Sequence, residues 1–329
     1  MKILVVGGTA FVGRLIVEAT LARGHDVTLL HRGLTGASLF PESEHLLADR
    51  DGDLGVLDGR EFDATIDVSA YFPRQVRSIA AALGGGGGRY VLISTCSVYA
   101  VPDAPGFDES AELLPEADEA ETECTELTYG PLKVTAERVA QELFAERVTI
   151  VRPTYVIGPW DHTRRFTAWV ERIAQGGEVL APGDPTDSIQ LIDGRDMASW
   201  IVRLVEADVS GSFHAVSPSS MYTFADMLSD IAAAVAPHGT TFTWVESSWL
   251  AARGVGPESL PLWDPNDPFA AANTADPSKA NLSGLAPRSI QQSAREIVEH
   301  VREVPPEGAS PMYSREREHE LLALWSARS

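Results

Sequence analysis

Lys2-Ile3-Leu4-Val5-Val6-Gly7-Gly8-Thr9-Ala10-Phe11-Val12-Gly13 decides the fold, read together with the residues from there to Gly33. Lys2 to Val6 is a short apolar run rich in β-formers. It breaks into glycines, resumes as an amphipathic helix to Arg23, stops at Gly24 and returns as Val27-Thr28-Leu29-Leu30. Strand, glycine turn, helix and strand predict a right-handed βαβ unit. Its turn presents unpaired backbone N–H groups at the positive end of a helix, where a pyrophosphate fits without side-chain help. Glycine is needed where a Cβ would block that approach or where φ is positive. Gly7, Thr9, Ala10, Phe11, Val12 and Gly13 are therefore candidate contacts to a dinucleotide.

The residues just past the second strand bear on which dinucleotide binds. An acidic residue there would accept hydrogen bonds from ribose hydroxyls and repel a 2′-phosphate. The chain instead reads His31-Arg32-Gly33, and an arginine can pair with a phosphate in a bidentate way. NADP is the expected cofactor and NAD the alternative, with His31 and Arg32 as contacts.

At 329 residues and 35.4 kDa the chain is long enough for one large α/β core and a smaller lobe. No apolar run approaches a membrane span, and the first strand begins at Lys2, so a cytoplasmic protein without a leader is expected. Cys96 and Cys124 give neither a disulfide framework nor a zinc spacing, and the histidines show no paired-ligand pattern, so no metal is expected. The formal charge of −21 argues against nucleic acid as a partner, because binding there rests on phosphate neutralisation by Lys and Arg. Much of the acid lies between Asp103 and Glu126, a stretch without Lys or Arg that reads as a solvated loop.

Short apolar strands continue to alternate with helices, which predicts a doubly wound parallel sheet of the Rossmann type with a smaller α/β lobe for the substrate. Further strands are expected at Leu46 to Ala48, Ala64 to Val68, Tyr90 to Ser94, Val148 to Val151 and Ser212 to Val216, with helices at Arg74 to Leu83 and Lys133 to Phe144. Gly84 to Gly88 reads as a flexible connection. Proline and glycine rise after Pro153, notably around Ala181-Pro182-Gly183 and from Pro257 to Pro268. The expected division is 1–155 plus 188–216 for the dinucleotide domain and 156–187 plus 217–329 for the substrate lobe.

Tyr129-Gly130-Pro131-Leu132-Lys133 places a phenol and an ammonium on one face at a helix start, where Pro131 fits a first turn. A tyrosine with a pKa near 10 is a poor base, and a neighbouring ammonium favours its phenolate. With seven tyrosines and only Lys2, Lys133 and Lys279 as lysines, a chance match at this spacing is rare. A third group is expected from the hydroxyl-rich end of the strand Leu92-Ile93-Ser94-Thr95-Cys96-Ser97, where a hydroxyl could bond the substrate oxygen.

Together these residues resemble the short-chain dehydrogenase/reductase superfamily, in its extended branch of epimerases, dehydratases and reductases. The resemblance implies an enzyme with Thr95, Tyr129 and Lys133 as its catalytic residues. It also implies cofactor contacts at Asp49, Arg50, Ser69, Lys133 and Pro153, and a homodimer through helices flanking the Tyr-Lys element. Further matches are Val151-Arg152-Pro153 with Gly158-Pro159, and Ile192-Asp193-Gly194-Arg195-Asp196. Ala10 and Val6 depart from the branch's usual motif and resemble a subgroup of RNA-binding proteins and bacterial reductases. Tyr155 and Ile189 stand where sugar-nucleotide epimerases carry donors for a diphosphate, and Cys96-Ser97 stand where dehydratases need Asp-Glu. The expected function is an NADP-dependent ketone reductase or secondary alcohol dehydrogenase for a small molecule. An epimerase and a non-catalytic RNA-binding protein are the alternatives. Trp160, Trp169, Trp244, Trp249 and Trp263 read as packing residues of the lobe, and His162, Arg164 and Arg165 as a surface turn.

Overall fold

Alternation along each strand sets the two faces of the main sheet. The computed structural model describes residues 1–218, 221–264, 273–306 and 308–328. The strands are β1 (Lys2–Val6), β2 (Asp26–His31), β3 (Glu44–Leu47), β4 (Ala64–Asp67), β5 (Arg89–Ile93), β6 (Val148–Pro153), β7 (Tyr155–Ile157), β8 (Glu178–Pro182), β9 (Leu191–Asp193), β10 (Gly211–Ala215) and β11 (Thr241–Val245). The helices are α1 (Phe11–Ala22), α2 (Pro73–Leu83), α3 (Glu126–Phe144), α4 (Arg165–Ala174), α5 (Gly194–Glu206), α6 (Phe224–Val235), α7 (Ser247–Ala251), α8 (Ser278–Leu282), α9 (Ile290–Glu303) and α10 (Arg315–Ser326).

Seven strands pair in the order β10-β6-β5-β4-β1-β2-β3, all in parallel. Leu4, Val6, Leu30, Tyr90, Leu92 and Ile150 share one core with Val76 and Ile79 of α2 and Val139 and Phe144 of α3. Their neighbours Ile3, Val5, Leu29, Ile66 and Val91 are equally buried, as a sheet covered on both faces requires. Helices α1 and α5 pack together, as do α2 and α3. This is a doubly wound sheet, as the alternation predicts. Every strand of it ends on the same edge, which places Val6, His31, Asp67, Ile93 and Pro153 together.

The chain forms two compact units. The first holds the described residues within Met1–Val156, Gln190–Ser220 and Ala271–Pro287, the second those within Ile157–Ile189, Met221–Ala270 and Arg288–Ser329. The segment up to Pro287 thus returns to the first unit, where the expected division gave it to the lobe. Several bonds hold it there: the Lys279 ammonium donates to the Ser212 carbonyl of β10 at 2.7 Å and sits over the Phe213 ring, the Asp276 amide donates to the Phe107 carbonyl at 2.8 Å, and the Gln190 side chain bonds the Ala275 backbone at 2.9 Å. In the second unit β8 and β11 pair in parallel, and α4, α6 and α9 pack on one another. Arg172 of α4 donates to Glu318 of α10 at 2.6 Å, and Glu318 also accepts from the Leu180 amide at 3.1 Å. The proline-rich stretch to Pro268 lies outside the described residues from 265 onward.

Three expectations need correction. Helix α3 starts seven residues before Lys133, because Thr125 and Thr128 cap it reciprocally; Pro131 therefore stands inside the helix. Of residues 84 to 88 only the last three are packed: Gly84 and Gly85 are exposed, whereas Gly86 accepts from the Phe62 amide at 2.7 Å and a Cβ on Gly88 would lie 2.1 Å from the Asp63 carbonyl. Arg164 is buried, bonded to Glu171 at 2.8 Å and to the Gly308 carbonyl at 3.2 Å, and is no surface turn. The acidic stretch is an exposed loop, as expected, but it is tied down as a strap. Glu116 and Glu119 pair with Arg138 of α3 at 2.7 Å each, Glu119 pairs with Arg77 of α2 at 2.9 Å, and the Ala117 amide donates to Thr135 at 3.0 Å. A missing local Lys or Arg hid this, because the counter-charges come from helices distant in sequence.

Candidate active site

The site grows from the carboxyl edge of the sheet. After β1 the chain turns through Gly7 at φ +91°, and a Cβ on Gly13 would stand 2.0 Å from the Gly7 carbonyl, so helix and turn touch through backbone. Ala10 caps α1 without any side-chain hydrogen bond, and the first turn carries no acid. By contrast α3, α6, α9 and α10 all receive a Thr or Ser cap. The first turn of α1 thus has no side-chain cap, as is also true of α4 and α7, and it adjoins the glycine turn, a setting that fits a phosphate. A cleft of about 360 Å³ opens there. It gathers Gly7, Thr9, Ala10, His31, Arg32, Asp49, Arg50 and Ser69 of the sequence-derived contacts. Phe11, Val12, Gly13, Lys133 and Pro153 do not line it.

These residues differ in how they are held. Arg32 is exposed and forms no hydrogen bond or ion pair among the described residues. Arg50 is turned inward: its guanidinium meets Asp67 at 2.7 and 2.6 Å and also donates to Ser69 and to the Gln75 carbonyl, each at 3.0 Å. Tyr90 donates to Asp67 at 2.6 Å. Burial opposes the charge of Asp67, and the Arg50 guanidinium overcomes it, holding the carboxyl below its usual range.

Lys133 is 3% exposed, and its ammonium donates at 2.8 Å to the carbonyl of Ala70, in the loop after β4, and at 2.7 Å to that of Ile93, the last residue of β5. Burial lowers its pKa to about 8. Tyr129, one turn earlier on α3, is half-buried. The Tyr71 ring lies between the two, 6.3 Å from the Tyr129 ring and 5.5 Å from the Lys133 ammonium, and it also lines the dinucleotide cleft. Thr95 caps the short turn Cys96–Val98, where its hydroxyl accepts from the Ser97 amide at 3.1 Å and donates to the Ser97 hydroxyl at 3.1 Å. Gly130 brings that turn against α3, since a Cβ there would stand 2.3 Å from the Ser97 carbonyl.

Beneath this surface runs a buried polar chain. Ser94 donates to Glu137 at 2.5 Å, and Arg152 meets Glu137 at 3.0 and 2.6 Å. Arg152 also donates to the Tyr99 hydroxyl at 2.5 Å, so Tyr99 donates onward to His214 Nε2 at 2.6 Å. His214 Nδ1 must then donate to the Asp276 carbonyl at 3.0 Å, which makes the ring neutral; burial lowers its pKa accordingly.

Sequence reasoning missed Tyr71, Gly130 and His45. Tyr71 comes just after the end of β4, a position that could have been searched. Gly130 sits inside the Tyr-x-x-x-Lys pattern itself. His45 meets His31 only through the register of β2 and β3, which no local pattern reveals.

Residues 63–216 match the model of the NAD dependent epimerase/dehydratase family, and the region includes Thr95, Tyr129 and Lys133. Residues 63–216, just under half of the chain, are thus similar to a domain of this family. The chloroplast stem-loop binding protein of 41 kDa b from Arabidopsis thaliana is 26% identical over 220 residues, which are 62% of this chain and 55% of that protein, so the match spans about half of the relative's length. The UDP-glucuronic acid 4-epimerase of Bacillus cereus, solved with NAD, has the same fold with a TM-score of 0.67 at 15% identity over 92% of this chain and 99% of that one. A human epimerase family protein solved with NADPH has a TM-score of 0.63 and 18% identity, covering 91% and 99%. One of these two similar structures thus holds NAD and the other NADPH. No helix among the described residues is long and apolar enough to cross a membrane, and no His, Cys, Asp or Glu group among them could hold a metal.

Proposed function

We propose that the protein is an NADP-dependent oxidoreductase that interconverts a ketone and a secondary alcohol on a small molecule. The observation that carries this reading is the α3 face of Tyr129 and Lys133, joined through Tyr71 to a cleft whose rim holds the unpaired Arg32. The turn from Gly7 to Ala10 and the uncapped start of α1 would hold the pyrophosphate, and Arg32 the 2′-phosphate. Asp49 and Ser69 line the same cleft, and Pro153 ends a strand on the same edge. A bound nicotinamide supplies or takes the hydride.

The chain's own residues handle the proton. In reduction Tyr129 gives its phenolic proton to the oxygen on which negative charge develops, and Thr95 donates a hydrogen bond to the same oxygen. The Lys133 ammonium stabilises the phenolate left behind and would donate to the cofactor ribose. In oxidation the same proton returns to Tyr129.

Purified protein is titrated with NADPH and NADH and then tested against a panel of ketones by NADPH absorbance. Selective NADPH binding and turnover that a Tyr129→Phe variant loses support the reading. Full activity in that variant refutes it, and a tightly held NAD that does not exchange moves an epimerase to first place. The name of the Arabidopsis relative carries a second reading, a stem-loop binding protein. The charge of −21 opposes it, and submicromolar, salt-sensitive binding to a stem-loop RNA would restore it.

A further inference from the structure

Two histidines on neighbouring strands tie both ends of the loop that carries Arg32. His31 ends β2 and His45 lies on β3, their rings edge-on with centroids 5.0 Å apart. The Gly33 amide donates to His31 Nδ1 at 3.1 Å, so that nitrogen carries no proton. At the other end His45 Nε2 lies 3.2 Å from the Phe40 carbonyl, which can only accept, so that nitrogen carries one. Between them His31 Nε2 and His45 Nδ1 lie 2.8 Å apart. With both rings neutral only one assignment satisfies every link: Gly33 donates to His31, His31 to His45, and His45 to Phe40. The intervening loop passes over the glycine turn, where a Cβ on Gly36 would stand 2.6 Å from the Thr9 carbonyl, and Arg32, Gly33, Leu34 and Thr35 face the cleft.

We infer that His45, which does not itself line the cleft, is a specificity-determining positioning residue: through His31 it fixes the turn that presents Arg32 to a 2′-phosphate. This rests on the NADP reading above. The relay has no room for a further proton. A proton on His45 Nδ1 faces the N–H of His31, and shifting it along the relay places a proton on His31 Nδ1 against the Gly33 amide. Either way two donors meet and one link opens. The charged groups around the pair do not offset this. Arg32 and the exposed Glu42 are on the loop itself, Glu44 on β3 is held by Arg60, and Asp49 and Asp51, past the end of β3, line the cleft. Burial and the neighbouring His45 both disfavour charge on His31.

The test compares 2′,5′-ADP with 5′-ADP by calorimetry at pH 8 and pH 5.5, using the wild type, His45→Gln and His45→Leu. Glutamine can accept from His31 and donate to Phe40 without titrating; leucine can do neither. At pH 8 the preference for 2′,5′-ADP falls roughly tenfold in His45→Leu and is kept in His45→Gln. At pH 5.5 the wild type loses preference beyond the loss that phosphate protonation imposes on His45→Gln as well. Circular dichroism melting establishes that each variant is folded. A wild type that prefers 2′,5′-ADP while both variants keep its preference and pH profile overturns the role of His45 and leaves the NADP reading intact. A wild type without any such preference at pH 8 overturns that reading, and this inference with it.

Discussion

Asp67→Asn should be among the most destabilising single changes in the first unit. The Asp67 carboxylate is fully buried and accepts from both terminal nitrogens of Arg50, from the Tyr90 hydroxyl at 2.6 Å and from the Ser69 amide at 3.1 Å. Asparagine removes the charge and turns one acceptor into a donor, leaving the Arg50 guanidinium buried without its counter-ion. Breaking such a pair from one side costs about 3–5 kcal/mol, most of it the unpaired charge. Arg50→Met should cost about 2–4 kcal/mol by the same argument from the other side, reduced because a carboxyl can protonate. The double variant Arg50→Met/Asp67→Asn removes both charges, and the asparagine oxygen can still accept from the Tyr90 hydroxyl or the Ser69 amide. Its cost should fall short of the sum of the two single changes by about 2–3 kcal/mol. Urea unfolding followed by far-UV circular dichroism measures all three, with the slope required to stay constant so that midpoints report stability. A cost below about 1 kcal/mol for Asp67→Asn, or strict additivity in the double variant, refutes the reasoning that this pair is a desolvated unit.

Gly130→Ala forces α3 away from the Ser97 carbonyl, an overpacking cost of about 1–3 kcal/mol partly offset by about 1 kcal/mol of helix propensity. Melting should move little while turnover falls on the order of a hundredfold, because Tyr129 and Thr95 no longer meet one substrate oxygen; unchanged turnover sinks the positional argument. Gly13→Ala drives a Cβ into the Gly7 carbonyl and should abolish dinucleotide binding, read by quenching of NADPH fluorescence. Lys133 titrates at about 8 in the folded protein and near 10.4 when unfolded, so between those values the unfolded chain binds more protons. Stability should therefore rise with pH across that window, by up to about 3 kcal/mol, and Lys133→Met should remove the rise; urea midpoints at pH 8 and pH 10 decide it. Raising salt from about 0.05 to 1 M should speed cleavage of the strap by a Glu-specific protease, since its pairs with Arg77 and Arg138 are exposed; an unchanged rate means they do not hold it.

Much of the sheet was legible because its determinants are local. The run from Lys2 to Gly33 contains a whole βαβ unit, and the alternation from Ala64 to Val151 supplies strands that differ from the observed ones by two residues or fewer at each end. What stayed hidden depends on neighbours far away in sequence. The segment of Lys279 rejoins the first unit through bonds to distant residues, such as that to Ser212, 67 residues earlier. The strap takes its counter-charges from α2 and α3, so a window of acid without base suggested a solvated loop. Residues 86 to 88 looked as flexible as 84 and 85 because composition cannot report that Gly88 touches the backbone of Asp63. At the candidate site the residue types were readable and their tethers were not. Arg50 could be named from the sequence, but its commitment to Asp67 required the parallel register of β1 and β4 to bring β4 beside the dinucleotide turn.

The strap ends at Thr125, the residue that caps α3, only four positions before Tyr129. It can seat only after α2 and α3 are both in place, because its partners Arg77 and Arg138 are divided between them. In folding it is therefore a late element, and in the native protein an early one to open. Amide exchange should divide α3 accordingly: fast from Glu126 through Tyr129 and slow from Leu132 onward, where Val139, Ala140 and Phe144 are locked in the core. The phenol assigned to proton transfer then stands at the seam between a segment that breathes and one that does not.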